Sequence, residues 1–191
     1  MIGNDLIDLH IPLSKNWDTN RYLNKLYSTR EQKSIFESNN PIFFLQLFWS
    51  LKESAYKAHQ RKFELARSYN PIDFSCEIIS YTSTEIKGKV LIGNFIYHTL
   101  STFNFQYIHS IARFNDNLKY YEEIFETEID LKKKFLIEYS NRTDQDIQNL
   151  ILQKNEEQIP FIFRNNTKLH IDFSLSHHGK FSAYVLALTN S

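Results

Sequence analysis

Apolar residues recur at helical spacing around position 50, and they mark the clearest element of the chain. No Gly or Pro interrupts Phe48–His59, and its Ala, Leu, Lys and Glu residues favour a helix. Five apolar side chains fall on one broad face of that helix: Leu45, Phe48, Trp49, Ala55 and Tyr56. The pattern predicts an amphipathic helix that continues to Arg67.

Shorter patterns surround this helix in the first part of the chain. Apolar residues interrupted by aspartates predict a strand over Met1–Leu9, and two short helices are predicted over Asp18–Leu26 and Thr29–Glu37. The stretch 72–114 is rich in short apolar runs bounded by glycine, which predicts two or three β-hairpins.

The rest of the chain returns to helical spacing and then to strands. The predicted elements are helices over Tyr120–Lys154 with a break near 141–144, a hairpin formed by Pro160–Phe163 and His170–Phe173, a polar turn at 174–180, and a closing strand over Phe181–Leu188. Together the elements predict an α+β fold.

A weak internal similarity indicates how the fold is divided. Gln106–Phe114 resembles Lys180–Leu188 in its pattern of polar and apolar residues. Each segment closes a block of helix followed by strands. We therefore expect two pseudo-symmetric α+β halves, residues 1–115 and 116–191, each with a small antiparallel sheet packed on helices.

Composition narrows the class of protein. The chain has 191 residues, of which 42% are hydrophobic, and 22 basic residues balance 22 acidic ones. Balanced charge argues against nucleic-acid binding. No apolar run reaches the ~18 residues that span a bilayer, and the acidic start differs from a signal peptide. We therefore expect no nucleic-acid partner and no membrane.

Two scarce residue types add to this picture. Cys76 is the only cysteine and lies in an apolar, strand-like stretch, so we expect a buried structural thiol and a reducing, cytoplasmic location. The four glycines do not form a Gly-rich phosphate loop. Any phosphate must therefore be held by a metal, by basic side chains or by a helix N-terminus.

Three short stretches carry the candidate chemistry: Gly3-Asn4-Asp5, the helix segment Trp49–Ala58 with its Lys-Glu-Ser-Ala-Tyr-Lys core, and Ser174-Leu175-Ser176-His177. By itself, the Glu53 and Lys57 pair is typical of a surface ion pair on a helix. Carboxylates such as Asp5 and Glu53 also suit Mg²⁺, which takes one or two carboxylates and leaves other positions to phosphate.

Together, and in this order, the three stretches resemble the motifs of the 4′-phosphopantetheinyl transferases. That family shows a G-x-D strand, a W/F-x-x-K-E-A-x-x-K helix and an S-x-S-H turn followed by a strand of small residues. The resemblance implies transfer of 4′-phosphopantetheine from coenzyme A to a serine hydroxyl of an acyl or peptidyl carrier protein, as in fatty acid biosynthesis, with release of adenosine 3′,5′-bisphosphate.

The resemblance also implies a metal. Asp5 and Glu53 would hold Mg²⁺, or Mn²⁺, on the pyrophosphate of coenzyme A. Asp8 falls where some members have a second acidic group, as a ligand through water. Glu53 or a metal-bound water would take the proton of the serine.

Further roles follow for the basic and hydroxyl groups. Lys57 would steady the pyrophosphate as charge moves to the leaving group, and Lys52 would be a supporting cation. Ser176 and His177 would hold a phosphate of coenzyme A. His178, by contrast, is expected to be a turn or surface group.

The motif order resembles the small, trimeric holo-acyl-carrier-protein synthase type, whereas the length approaches that of the two-halved, pseudodimeric type. We therefore expect a monomeric pseudodimer with the metal-binding half first and the coenzyme A phosphate-binding half second.

One departure concerns the loop before S-x-S-H. The family usually has G-K/R-P there, and this chain has Gln158-Ile159-Pro160. The residue that contacts the 3′-phosphate of coenzyme A is therefore open, and the candidates are Lys168, Lys180, Arg142 and the lysines from Lys132.

Two other interpretations of the function stay open. The chain could be a non-catalytic carrier-binding relative, or an unrelated α+β interaction protein.

Overall fold

The computed structural model of the protein describes residues 1–126 and 129–188. The first part forms β1 (Ile2–Asp8), α1 (Asn20–Leu26), α2 (Thr29–Glu37), α3 (Pro41–Phe63), β2 (Ser75–Tyr81), β3 (Glu85–Ile92), β4 (Phe95–Phe103) and β5 (Tyr107–Arg113). The second part forms β6 (Tyr120–Phe125), α4 (Leu131–Thr143), β7 (Leu150–Lys154), β8 (Pro160–Arg164), β9 (Thr167–Lys168), β10 (Phe173–His178) and β11 (Phe181–Ala187). Short 3₁₀ turns lie at Pro71–Asp73 and Ile147–Asn149.

The described strands pair antiparallel in three sheets. The first sheet has the order β1-β5-β4-β3-β2, the second β10-β11-β6 and the third β7-β8-β9. The large sheet packs on α3, and α4 shares a core with strands of the two smaller sheets. The predicted α+β fold, with antiparallel sheets packed on helices, is confirmed. The division into halves at residue 115 stays a prediction.

Helix α3 is the central helix that the apolar pattern indicates. The side chain of Asn40 caps its start by accepting a hydrogen bond from the Phe43 amide at 3.1 Å, and Pro41 occupies its first turn. The predicted extension to Arg67 is wrong, because Glu64 adopts a left-handed conformation with φ of 46° and ends the helix at Phe63.

Strand β1 is buried on both of its faces. Side chains alternate along a strand, so its even-numbered and odd-numbered residues meet different neighbours. Ile2 packs with Val185 of β11, and Leu6 packs with Phe181. Ile7 belongs instead to the core beneath α3. β1 therefore joins the large sheet to the second sheet.

Gly3 lets β1 lie directly against α3. A Cβ atom at this position would sit 2.6 Å from the Ala58 backbone nitrogen, and it would overlap the Ser54 carbonyl oxygen. Both obstacles are helix backbone, which cannot rotate away as a side chain can. The missing side chain of Gly3 therefore permits this close approach, which fixes the spacing between strand and helix.

Among the described residues, the predicted helical stretch Tyr120–Lys154 is wrong outside α4, and residues 127 and 128 of that stretch lie outside the described part. Tyr120–Phe125 pairs with β11 as an edge strand, and Leu150–Lys154 pairs with β8. In β6 both faces carry apolar side chains, since Tyr121 packs into one core and Ile124 into another. A short run that is apolar on both faces does not show whether it is strand or helix.

The end of the chain also differs from the prediction. β8 turns back through Asn165 and Asn166, which both have positive φ, and pairs with the short β9 rather than with His170–Phe173. The predicted polar turn at 174–180 is mostly strand, because Phe173–His178 forms β10 and only Gly179 and Lys180 turn. The closing strand is confirmed as β11.

Lys52 lies in the protein core, where its side chain is 0% exposed. Its Nζ donates to the Leu26 carbonyl at 2.8 Å, to Glu31 Oε2 at 2.8 Å and to the Pro71 carbonyl at 3.0 Å. This placement corrects the expectation of a supporting cation for the ligand, because all three protons of the ammonium group are used internally. Lys52 instead ties α3 to α1, α2 and the Pro71 turn.

The Glu31 carboxylate serves three donors at once. Besides Lys52 it accepts the Ser28 amide at 2.7 Å in a capping box and the Cys76 amide at 2.8 Å. Cys76 is a buried thiol, as expected, and burial raises its pKa well above the ordinary value.

Within residues 1–126 and 129–188, no helix combines the length and the apolar character that crossing a membrane requires.

We predict that Lys52→Met lowers the free energy of unfolding by about 3–5 kcal/mol, because it leaves a buried, uncompensated Glu31 carboxylate. Urea denaturation measures the change. The matched control is Lys33→Met, which removes an exposed pairing with Glu37 at 3.8 Å and should cost less than about 0.5 kcal/mol. A Lys52→Met protein as stable as the control would contradict the account.

Candidate active site

A cleft of about 1310 Å³ runs along the C-terminal half of α3. One wall is formed by α3 residues including Glu53, Lys57 and Arg61, and another by Ser174–His177 of β10. The three candidate stretches therefore meet in space, since β1 passes between α3 and β10 beside this cleft. The sequence alone does not show this arrangement, because more than a hundred residues separate the last stretch from the other two.

Asp5 and Lys57 form the direct link between β1 and α3. Lys57 Nζ donates to Asp5 Oδ1 at 3.1 Å and to the Asn4 carbonyl at 2.9 Å. Both side chains are partly buried. These two contacts hold the lysine at the wall of the cleft.

Glu53 lies one helical turn before Lys57 and lines both the large cleft and a smaller cavity of about 260 Å³, which Asp5 also lines. Burial raises the pKa of Glu53 to about 7, the negative charge of Asp5 adds to this, and Lys57 and Arg67 oppose it. Two carboxylates thus repel each other at the junction of the two cavities.

This pair of carboxylates fits a divalent cation. Oxygen ligands suit Mg²⁺, and a cation between Asp5 and Glu53 would relieve their repulsion. In the described part of the chain, no group of three or more His, Cys, Asp or Glu side chains converges on one point. The protein would therefore supply two carboxylates and leave the remaining positions to water and phosphate oxygens.

The structure does not bring Asp8 to this pair. Asp8 is three residues from Asp5 on β1, so its side chain points to the opposite face. Its carboxylate accepts hydrogen bonds from the His10 amide at 3.0 Å and the Lys180 amide at 3.2 Å. Burial works to raise its pKa, but these hydrogen bonds outweigh it and hold the pKa below the usual value. Asp8 fastens the turn after β10.

Asn4 connects the first motif to the last one. Its amide donates to Ser174 Oγ at 3.1 Å, and its side-chain Nδ2 donates to Ser176 Oγ at 2.8 Å. Each hydroxyl thus accepts a hydrogen bond and keeps its own proton available as a donor. Both serines line the large cleft. Asn4 therefore fixes the hydroxyl groups of two residues that line the cleft.

The two histidines of this segment differ in surroundings. His177 is exposed and lines both cavities, beside Glu53. His178 accepts a hydrogen bond from the Asp8 amide through Nδ1 at 2.9 Å. His178 ends β10 and also lines the smaller cavity, whereas His177 lines both cavities.

The large cleft is strongly basic although the whole chain has no net charge. Six basic side chains line it against two carboxylates, Glu53 and Asp130; the basic residues are Lys57, Arg61, Arg67, Lys132, Lys154 and Lys180. Local positive charge of this kind attracts a polyanionic ligand.

Of the six candidates for the 3′-phosphate contact, Lys133, Lys134, Lys168 and Arg142 do not line the large cleft. Lys168 pairs with Glu64 at 3.0 Å, and Arg142 pairs with Glu138 on α4; neither lines the large cleft. Lys132 and Lys180 do line it, and Lys180 is paired with Glu126 at 2.7 Å.

The sequence motifs alone predict no ligand-binding role for Asn4 or Arg61. For Asn4 the signal was its place between Gly3 and Asp5 in a strand, which points it away from α3 and toward another element. Arg61 fell in a basic cluster at the end of α3, and only the packing of the second part shows that it is buried.

Comparison with known proteins identifies a family. A family model described as the 4′-phosphopantetheinyl transferase superfamily matches residues 1–112, which contain β1, α3 and the large sheet. No curated protein matches the chain.

We predict that Asp5→Asn and Glu53→Gln each weaken Mn²⁺ binding by about tenfold or more, because even outer-sphere partners of a metal contribute that much. Calorimetry or the electron paramagnetic resonance of Mn²⁺ measures the affinity. Asp8→Asn should keep it within about twofold, since Asp8 lies on the other face of β1. Equal losses in all three variants would contradict the two-carboxylate site.

Proposed function

The chain belongs to the 4′-phosphopantetheinyl transferase superfamily, and we propose that it transfers 4′-phosphopantetheine from coenzyme A to a serine hydroxyl of an apo acyl or peptidyl carrier protein. The superfamily implies phosphopantetheinyl transfer in general, with coenzyme A and a carrier protein as partners. The observation that supports the finer proposal is the placement of Asp5, Glu53 and Lys57 beside a basic cleft.

Asp5 and Glu53 would hold Mg²⁺, or Mn²⁺, at the junction of the two cavities. When bound, the cation would supply charge stabilisation for the pyrophosphate. The remaining chemistry is assigned to side chains of the chain itself, because phosphoryl transfer depends mainly on positioning and on fixed charges.

In the proposed step the serine oxygen attacks the phosphorus that carries the pantetheine arm. The bond between this phosphorus and the bridging oxygen breaks, and adenosine 3′,5′-bisphosphate leaves with the electron pair. Glu53 accepts the serine proton as the general base. Lys57 stabilises the negative charge that develops on the leaving phosphate.

The hydroxyl groups of β10 would bind rather than react. Ser174 and Ser176 keep their protons as donors because both accept hydrogen bonds from Asn4. We propose that they and His177 hold a phosphate of coenzyme A, so that the ligand lies across β10 and α3.

We further propose that one chain suffices for the site. Residues 1–115 would supply the metal-binding half, and residues 116–191 the phosphate-binding half, with β1 packed against β10 and β11 between them. Such a pseudodimer would act as a monomer and would correspond to the holo-acyl-carrier-protein synthase type only in the order of its motifs.

A non-catalytic carrier-binding relative is the second candidate. The loop Gln158–Pro160, which has no cation, favours it. The pairing of Lys57 with Asp5 beside Glu53 favours the enzyme, because a binding module has no need for two repelling carboxylates next to a fixed lysine.

The test is to incubate the protein with an apo acyl carrier protein, coenzyme A and Mg²⁺, and to weigh the carrier by mass spectrometry. A gain of one phosphopantetheine, prevented by a chelator, would support the proposal. Binding of coenzyme A without any gain across fatty-acid, polyketide and peptide carriers would favour the non-catalytic relative.

In the same assay we predict that Asp5→Ala and Glu53→Ala abolish turnover and that Lys57→Ala lowers it by about 10²–10³-fold, since a preorganised charge at the reacting group contributes that much. Lys33→Ala on the exposed face of α2 serves as the control and should react at the wild-type rate. Circular dichroism confirms that each variant is folded. A folded Glu53→Ala protein with full turnover would refute the assignment.

A further inference from the structure

Arg61 is a buried cation in the wall of the large cleft. Only 6% of the residue is exposed, although arginine is among the residues least often buried. Its guanidinium carbon lies 4.6 Å from the ring centre of Phe173 and 5.7 Å from that of Phe161. Two aromatic rings from β8 and β10 therefore hold the guanidinium plane in place.

No carboxylate in the described part of the chain forms an ion pair with this guanidinium. Asp172 acts on it electrostatically, but its own carboxylate pairs with the Met1 amino group at 2.8 Å. Burial lowers the pKa of Arg61 to about 10, so the group stays charged at neutral pH. A buried charge is normally retained with a partner, and Arg61 lines the large cleft, where an anionic ligand could supply one.

The position of Arg61 relates it to the proposed reaction centre. It follows Lys57 by four residues on α3, so the two cations lie on one face of the helix, roughly 6 Å apart along its axis. Lys57 is held beside Asp5 and Glu53, where the pyrophosphate is proposed to react. Arg61 is therefore placed for a second phosphate group of the same ligand.

The loop next to Arg61 lacks the positive charge that α3 supplies. Gln60 Nε2 donates to the Glu157 carbonyl at 3.0 Å and fixes the loop 155–159 against α3. The loop itself offers Gln158, Ile159 and Pro160 to the cleft and no positive charge. The neighbouring α3 thus supplies the charge that the loop does not carry.

We propose that Arg61 binds the 3′-phosphate of coenzyme A and thereby makes the cleft select coenzyme A over dephospho-coenzyme A. A guanidinium presents a planar fork of donors that matches a terminal phosphate, which carries more charge than a bridging phosphate group. The other cleft cations are lysines on flexible stems or the exposed Arg67, whereas aromatic stacking orients Arg61 in advance. This inference rests on the proposed function, because it takes coenzyme A as the ligand.

The test compares two ligands and three variants by calorimetry in the presence of Mg²⁺. Wild-type protein should bind coenzyme A at least about tenfold more tightly than dephospho-coenzyme A, which corresponds to the energy of one charge-assisted contact. Arg61→Met keeps the apolar stem between the rings but removes the charge. It should weaken coenzyme A binding by about tenfold or more, leave dephospho-coenzyme A within about twofold, and so abolish the selectivity.

Arg142→Met is the matched control. Arg142 also stacks on an aromatic ring, with its guanidinium carbon 3.6 Å from the ring centre of Tyr121, but it pairs with Glu138 away from the cleft. Its replacement should change neither affinity. Arg61→Lys retains a charge without the planar fork and should keep only part of the selectivity, which gives a second reading if Arg61→Met is unstable.

The outcomes separate this inference from the proposed function. Wild-type protein that binds both ligands equally overturns the role of Arg61, with no variant needed. Selectivity that survives in folded Arg61→Met, or an equal loss for both ligands, also overturns it and leaves the transferase proposal standing. Wild-type protein that binds neither ligand overturns the proposed function together with the inference.

Discussion

Strand β1 has to fit a helix on one face and a second sheet on the other, and the site depends on this double contact. Because Gly3 has no side chain, the strand backbone reaches the backbone of α3. The residues that follow then fall to either side in turn: Asn4 toward β10, and Asp5 toward Lys57. Strand alternation thus delivers an amide to the serines and a carboxylate to the lysine from adjacent positions.

The two lysines of the α3 motif show how helical periodicity separates structure from chemistry. Five residues correspond to about 140° of rotation, so Lys52 and Lys57 cannot share a face. Lys52 faces the core and connects three backbone segments through Glu31. Glu53 and Lys57, four residues apart, share the face toward the cavities. The same short motif therefore anchors the helix and supplies the reactive groups.

The distribution of charge shows that the second part of the chain contributes to the cleft. The chain is neutral as a whole, but its basic side chains concentrate along one cleft. Several of them come from residues after 129, so the polyanion site needs both parts. Aromatic side chains of β8 and β10 bury Arg61, which belongs to the first part, and this contact binds the parts together at the cleft.

The sequence predicted the elements with strong periodicity and the motifs with short-range order. The α+β class, helix α3 and the closing strand agree with the structure, and the family is confirmed. Strands β6 and β7 were missed because short runs with apolar residues on both faces do not distinguish strand from helix. Asp8 could have been set apart from Asp5 by strand parity alone.

Other features required the tertiary structure. Nothing near Lys52 in the sequence indicates that Leu26, Glu31 and Pro71 surround its ammonium group, because these partners come from separate segments. Likewise, the burial of Arg61 depends on Phe161 and Phe173, about a hundred residues away. Long-range packing of this kind leaves no local sequence pattern from which the burial of these side chains could be predicted.

The most direct test of the central claim is a crystal structure of the protein with coenzyme A and Mn²⁺, in which anomalous scattering locates the metal. The account predicts a metal peak between the carboxylates of Asp5 and Glu53, the pyrophosphate beside Lys57, and the ligand lying between α3 and β10. Coenzyme A bound away from this cleft, or a metal held by other residues, would contradict the account.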